Sequence, residues 1–179
     1  RVLPLLPAYR ELHPGVKVEV HHSNRTLDFA DEGYDLAIRV RPPVESNLIG
    51  RKLEDAHTVV VAAPAYLARM GTPSTLADLV HHECIIFERP SSGRQVEWLF
   101  RDENGDLDVP VGGSYTVTDY VLGCATLARH GAGIAQALRF TVEDDLRSGA
   151  LVELLACYGG RSRPITLLYP SSRHVPLRV

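Results

Sequence analysis

Polar and apolar positions alternate with two different periods along the chain. Val2, Leu5, Tyr9 and Leu12 recur at helical spacing, with Pro4 and Pro7 fitting a first turn or a kink and His13-Pro14-Gly15 ending the element. Val16, Val18 and Val20 then alternate with Lys17, Glu19 and His21, the pattern of a half-buried edge strand. Ser23-Asn24 offers an N-cap for a short helix closed by Gly33, and 35–40 reads as a second strand stopped by Pro42-Pro43. Residues 58–63 (TVVVAA) are apolar on both faces, as a central strand requires.

Beyond Pro64 the same reading gives short helices over 64–70 and 76–81 and a strand over 84–87. A hairpin follows, with Trp98–Phe100 and Val109–Val111 joined through Asn104-Gly105. Thr118 is placed as the cap of a helix with apolar positions at 121, 122, 125 and 128, closed by Gly131. A strand over 134–138, a helix over 143–147 stopped by Gly149, and a last strand over 165–169 complete the chain. Strands alternating with helices predict an α/β protein with a largely parallel sheet.

Composition narrows the class. With 45% hydrophobic residues in 179, the chain can bury a core. Its longest apolar run, Val59 to Ala68, is interrupted by Pro64 and is far shorter than the ~20 residues of a spanning helix. Net charge −3 gives no electrostatic footprint for nucleic acid. Cysteines at 84, 124 and 157, without metal spacing, predict reduced buried thiols and a cytoplasmic setting.

No catalytic motif emerges. There is no G-x-S-x-G, Walker loop or H-E-x-x-H. Gly131-Ala132-Gly133 follows a helix, so it reads as a cap and tight turn and not as a phosphate loop. His21-His22 and His81-His82 are neighbours that a strand would point to opposite faces, which predicts no metal site. Cys124 reads as a buried structural thiol, and Asp144-Asp145 as a solvated helix face. The chain is expected to be neither an enzyme nor a cofactor carrier. A binding site is easier to place, because open α/β sheets hold ligands beyond the carboxyl ends of their strands, near helix N-termini. Ser23, Asn24 and Thr118 stand in such positions, and Arg39 and Arg41, flanking Val40, suit a small anion.

The run Asp31 to Val40 (DEGYDLAIRV), followed by 46–53 (SNLIGRKL), resembles the effector-binding domain of LysR-type transcriptional regulators. Four further stretches resemble that family in order: 59–67 (VVVAAPAYL), 71–79 (GTPSTLADL), 130–135 (HGAGIA) and 146–152 (LRSGALV). The resemblance covers essentially the whole chain. It implies a type 2 periplasmic-binding-protein fold, two Rossmann-like α/β subdomains joined by two crossover strands. Subdomain I would be about 1–59 and 163–179, and subdomain II about 60–162.

The resemblance also implies a small-molecule effector in the cleft. It would be received by Ser23, Asn24, Arg39, Val40 and Arg41 from one lobe, and by Phe87, Arg89, Thr118, Asp119 and Gln136 from the other. It implies a homodimer or tetramer in which the first helix of one subunit packs on the helix after Thr118 of another. Leu3 and Leu6, with Leu127 and flanking Leu122, are expected to face that partner. DNA would be bound only through an N-terminal winged helix-turn-helix outside these residues, with no membrane contact. The family's first domain strand and last helix are expected before Arg1 and after Val179. A transporter's solute-binding protein, or a bilobed transferase, shares the architecture and is the alternative.

Overall fold

A single strand organises the sheet. The computed structural model describes residues 2–23, 33–40 and 48–170. Within it β1 (Ala37–Val40) pairs with β9 (Ser162–Pro170), and β9 pairs in turn with β2 (Leu48–Ala62). The register runs from Leu48 opposite Pro170 to His57 opposite Ser162, with an irregularity between Lys52 and Glu54. From Thr58 onward β2 changes partners. Residues 58–61 pair with β7 (Ala135–Leu138), and residues 60–62 with β8 (Val152–Leu154).

All these pairings are antiparallel, which overturns the expected parallel sheet. Among the described residues, parallel pairing is confined to β3 (Ile86–Glu88) against β6 (Thr116–Thr118) and a bridge between Cys84 and Ile134. Hydropathy records that a strand is buried and carries no direction. Here the chain leaves along β2 and returns along β9.

Burial along β2 explains its central position. Val59, Val61 and Ala63 face a core built with Ile85, Cys124, Ala125, Ala128 and Leu151. Val60 and Ala62 face a second core with Tyr66, Leu79, Trp98, Phe100 and Ile134. Period-2 geometry sends alternate residues to opposite sides, so an unbroken apolar run is what a strand between two cores requires. Each buried valine contributes about 1.5–3 kcal/mol. The polar half of β2, largely exposed from Ile49 to Asp55, was not foreseen as strand because its side chains carry no such signal.

The short elements follow the predicted turns closely. A 3-10 turn (Leu3–Leu5) leads into α1 (Leu6–Leu12), both starting with proline in the first turn. The second helix, α2 (Pro64–Met70), stops at Gly71, whose φ of +81° favours glycine. The 3-10 helix Leu76–His81 opens with a capping box in which Asp78 accepts the N–H groups of Ser74 and Thr75, each at 2.8 Å. These bonds hold its carboxyl below the usual carboxylate range. Strands β4 (Trp98–Asp102) and β5 (Gly105–Val109) form the hairpin, turning over Glu103-Asn104, one residue earlier than expected. Helix α3 (Leu122–Arg129) buries Cys124, Ala125 and Ala128, and α4 (Glu143–Ser148) ends at Gly149 in the left-handed region.

Two expectations fail locally. Residues 16–20 form no strand: Val16 and Val18 are more buried than their neighbours, but no ladder partner lies among the described residues. Thr118 is no cap, because it ends β6, and α3 starts after an N-cap at Val121 that makes no side-chain bond. Asp119, at φ +64°, breaks the chain between them.

Candidate functional site

The carboxyl ends of the parallel pair β3 and β6 lie side by side, Phe87 opposite Val117 and Glu88 opposite Thr118. Phe87 is half-buried against the first core, whereas Arg89, Thr118 and Asp119 are exposed beyond it. The turn through Asp119 is closed by the Tyr120 N–H donating to the Thr118 carbonyl at 2.8 Å, after which α3 begins. Left-handed backbone is tolerable for Asp but costs energy for any residue with a Cβ, so this corner is held by its surroundings.

From the end of β3 the chain folds back as a second hairpin, with a four-residue loop. The Arg89 N–H donates to the Arg94 carbonyl at 3.0 Å, and the Arg89 carbonyl accepts from Gly93 at 2.9 Å. Glu88 and Gln95 form the next bridge, and Gly93 supplies the positive φ, +61°, that this turn demands.

Beside β1, Arg39 donates from Nη1 to the Ser23 carbonyl at 2.7 Å, which brings two of the expected residues together. Val40 is 41% exposed and pairs with Ile165. Asn24 and Arg41 lie outside the described residues, as does the short helix expected after Ser23.

Gln136 is differently employed. Its Oε1 accepts the Leu99 N–H and its Nε2 donates to the Leu99 carbonyl, both at 2.9 Å. The amide therefore stitches β7 to β4, and its polar atoms face a backbone, not a cleft.

An arginine that sequence reading passed over, Arg161, joins β2 to the hairpin of β4 and β5. The Arg161 carbonyl accepts from both the N–H and the hydroxyl of Thr58, at 3.0 and 3.2 Å, where β2 changes partners. Its guanidinium donates to the carbonyls of Phe100 and Leu107, each at 3.1 Å, and meets Asp106 at 3.0 Å and Asp108 at 3.1 Å. A lone arginine after two glycines gives no sequence signal for this role.

The remaining candidates resolve into structural contacts. Gly131, at φ +77°, ends α3's turn. Gly133 is required because a Cβ there would stand 2.4 Å from the Glu83 carbonyl. Tyr66, buried, shares its hydroxyl with His82 Nδ1 at 3.1 Å and the Glu83 N–H at 2.9 Å. Among the described residues no group of three or more His, Cys, Asp or Glu side chains could hold a metal. Burial pushes the Cys84 thiol up to about 12 and the Cys124 thiol up to about 11, while Cys157 is exposed, contrary to expectation. Asp144 is exposed as foreseen, but Asp145 is not solvated: Arg129 grips both its oxygens, at 2.7 and 2.6 Å.

Against known proteins, the profile of the LysR substrate binding domain matches residues 1–179. An uncharacterised HTH-type transcriptional regulator of Haemophilus influenzae is 30% identical over 178 residues, covering 99% of this chain and 61% of that protein. The probable HTH-type transcriptional regulator LtrA of Klebsiella pneumoniae is 32% identical over 180 residues, 98% of this chain and 57% of that protein. The chain thus spans about three fifths of the length of these curated relatives. The CrgA regulatory domain from Neisseria meningitidis superposes with TM-score 0.82 at 25% identity, covering 99% of this chain and 85% of that one. Full-length AphB of Vibrio cholerae gives 0.78 at 24%, covering 94% and 56%.

Proposed function

The chain belongs to the LysR substrate-binding domain family, and from that premise we propose that it is the effector-sensing part of a longer transcriptional regulator. Its fold is the α/β fold of type 2 periplasmic-binding proteins. The relatives are named as transcriptional regulators, which decides against the solute-binding alternative. No helix among the described residues is long and apolar enough to cross a membrane.

The observation that carries the reading is the behaviour of β2. One strand pairs with β9 over residues 48–57 and with β7 and β8 over 58–62, so two bodies hang on a continuous backbone. In this reading subdomain I is about 1–59 and 163–179, subdomain II about 60–162, and flexure where Thr58 meets Arg161 opens and closes a cleft between them. A small anionic effector sits in that cleft. Arg39 and Ser23 serve from one wall and the ends of β3 and β6 from the other. A ligand that binds the closed form better shifts the population toward it, by no more than its difference in affinity for the two forms. The shift reaches DNA through a helix-turn-helix outside these residues, in a cytoplasmic homodimer or tetramer.

The exposure of the apolar residues on α1 and α3 differs from that expected. Leu127 is half-buried against its own core, and Leu5 and Leu12 are more exposed than Leu3, at 66% and 77% against 49%. Tyr120, Val121 and Leu122 are all exposed at the start of α3. An isologous pair would set α1 of one protomer on that edge of the other.

A thermal-shift screen of small organic acids, followed by footprinting of the full-length regulator with each hit, tests the effector role. Stabilising compounds should change the DNA footprint. A footprint indifferent to every compound that binds would overturn it.

A further inference from the structure

We propose that the β4–β5 hairpin is a strap across the junction at which β2 changes partners, and that Arg161 is the residue that fastens it. The inference rests on the effector-binding reading, in which the two halves of β2 move relative to one another, and it names the device that restrains them. One tie runs to the half of β2 beyond Thr58: Gln136 on β7, which pairs with residues 58–61, holds both backbone groups of Leu99. The other runs to Arg161, which leads into β9, the partner of residues 48–57. The Nε of Arg161 meets Asp106 at 3.0 Å, its Nη2 meets Asp108 at 3.1 Å, and its Nη1 donates to the carbonyls of Phe100 and Leu107. Phe100 and Leu107 are opposed in the hairpin, so one guanidinium grips both strands at the same level.

The two faces of the hairpin are used differently. Trp98 and Phe100, with Val109 and Leu107 opposite them, pack into the second core. Alternation sends Asp106 and Asp108 to the other face, the one that Arg161 holds. The carbonyl of the same arginine accepts from the N–H and the hydroxyl of Thr58, so its backbone marks the junction while its side chain holds the strap. The space left among Thr58, Leu99, Phe100 and Gln136 is about 10 Å³, room for a single water. Flexure at Thr58 therefore finds no slack and must draw on one of the two ties. The Arg161 tie is the one that yields. Asp106 and Asp108 are half-exposed, where water and salt weaken an ion pair, whereas releasing Leu99 would bury two unpaired backbone groups.

Distances between two nitroxide labels on the full-length regulator, measured without ligand, test the strap. Arg51→Cys, exposed on the β9-paired half of β2, takes one label. Asp144→Cys, exposed on α4, which packs on the first core through Leu146, takes the other. Cys157 and other reactive thiols are replaced by serine, and dilution with unlabelled protein leaves one labelled subunit per assembly. The distance distribution should be narrow in this background and about twofold broader or more in Arg161→Gln. Asp106→Asn with Asp108→Asn, at half-exposed positions outside the core, should broaden it as well, and decides the matter if Arg161→Gln fails to fold. Arg101→Gln breaks the 2.6 Å contact with Asp106 inside the hairpin and should leave the distribution narrow. Circular dichroism checks that each variant is folded. An unchanged width in folded Arg161→Gln, an unchanged width in the double variant where Arg161→Gln does not fold, or an equal broadening in Arg101→Gln would overturn the strap. A DNA footprint indifferent to every binding compound would remove the effector reading without altering these distances, so the two fail separately.

Discussion

Gln136 satisfies both backbone hydrogen-bonding groups of Leu99, a residue of the neighbouring hairpin that is 6% exposed. A side-chain amide thereby does what a paired strand would do, and it does so at one position only. Gln136→Leu strands a buried donor and a buried acceptor, and should cost about 2–4 kcal/mol of stability. Urea unfolding monitored through Trp98, in the same strand, would measure it. A loss below about 0.5 kcal/mol would mean that another group takes over.

The Arg129–Asp145 pair predicts an acid response. The paired guanidinium holds the Asp145 carboxyl below its ordinary value, so its contribution is fully present above that ordinary value and disappears as pH falls through the depressed one. Stability should therefore decline below about pH 4, and Asp145→Asn should flatten that part of the profile. With Arg129 one-third exposed, the loss at neutral pH should be about 1–2 kcal/mol. An unchanged acid limb in the variant would assign the decline to other carboxylates.

Glycine content has uneven consequences. A Cβ at Gly113 would lie 2.0 Å from the Cys84 carbonyl, and at Gly133 2.4 Å from the Glu83 carbonyl, both backbone atoms that cannot swing away. Gly113→Ala and Gly133→Ala should each cost about 3 kcal/mol or more, whereas Gly112→Ala, with nothing within 4 Å, should be close to neutral. Thermal melts of the three variants give the comparison.

Thiol chemistry should separate the cysteines. At pH 8 a disulfide-exchange reagent should modify Cys157 within minutes and spare Cys84 and Cys124, which are buried and whose thiols burial keeps protonated. All three should react in denaturant. Rapid labelling of more than one thiol per native chain would contradict the described packing.

Assembly is open to charge substitution. Leu12→Glu on α1 and Leu122→Glu at the start of α3 place a carboxylate on exposed surface, so each should cost the isolated fold under about 0.5 kcal/mol. If these faces meet across a two-fold axis, both variants sediment as smaller species with unchanged circular dichroism. Persistence of the wild-type assembly in both would move the interface elsewhere.

The sequence discloses some levels of this molecule better than others. The TVVVAA run announces a strand with two buried faces, and Pro64, Gly71 and Gly149 mark helix ends where the backbone places them. Strand direction is invisible in hydropathy, so the antiparallel pairing around β2 could not be read there. Strand β8 is too short, at three residues, to give a periodic signal, and the exposed half of β2 mixes apolar and charged residues without regular alternation. Arg39 and Thr118 follow from residue type and position, whereas Arg89 and Gln136 follow only from the family resemblance. The partner of Gln136, Leu99, is 37 residues away, and only the folded chain reveals it. Arg161 illustrates the converse, a polar hub built from contacts with residues 53 to 103 positions distant.

The division of alternate β2 side chains between two cores bears on how genes for this domain can change. Deleting or inserting one codon between Val59 and Ala63 would exchange the two sets, sending Val60 and Ala62 into the space shaped for Val59 and Val61. Both interiors would be mispacked at once, and no surface adjustment could repair them. The reading frame of side chains here is therefore as intolerant of length change as a codon frame is. By contrast, the Glu103-Asn104 turn, exposed and tied only to its own strands, can carry an added loop or an optical reporter.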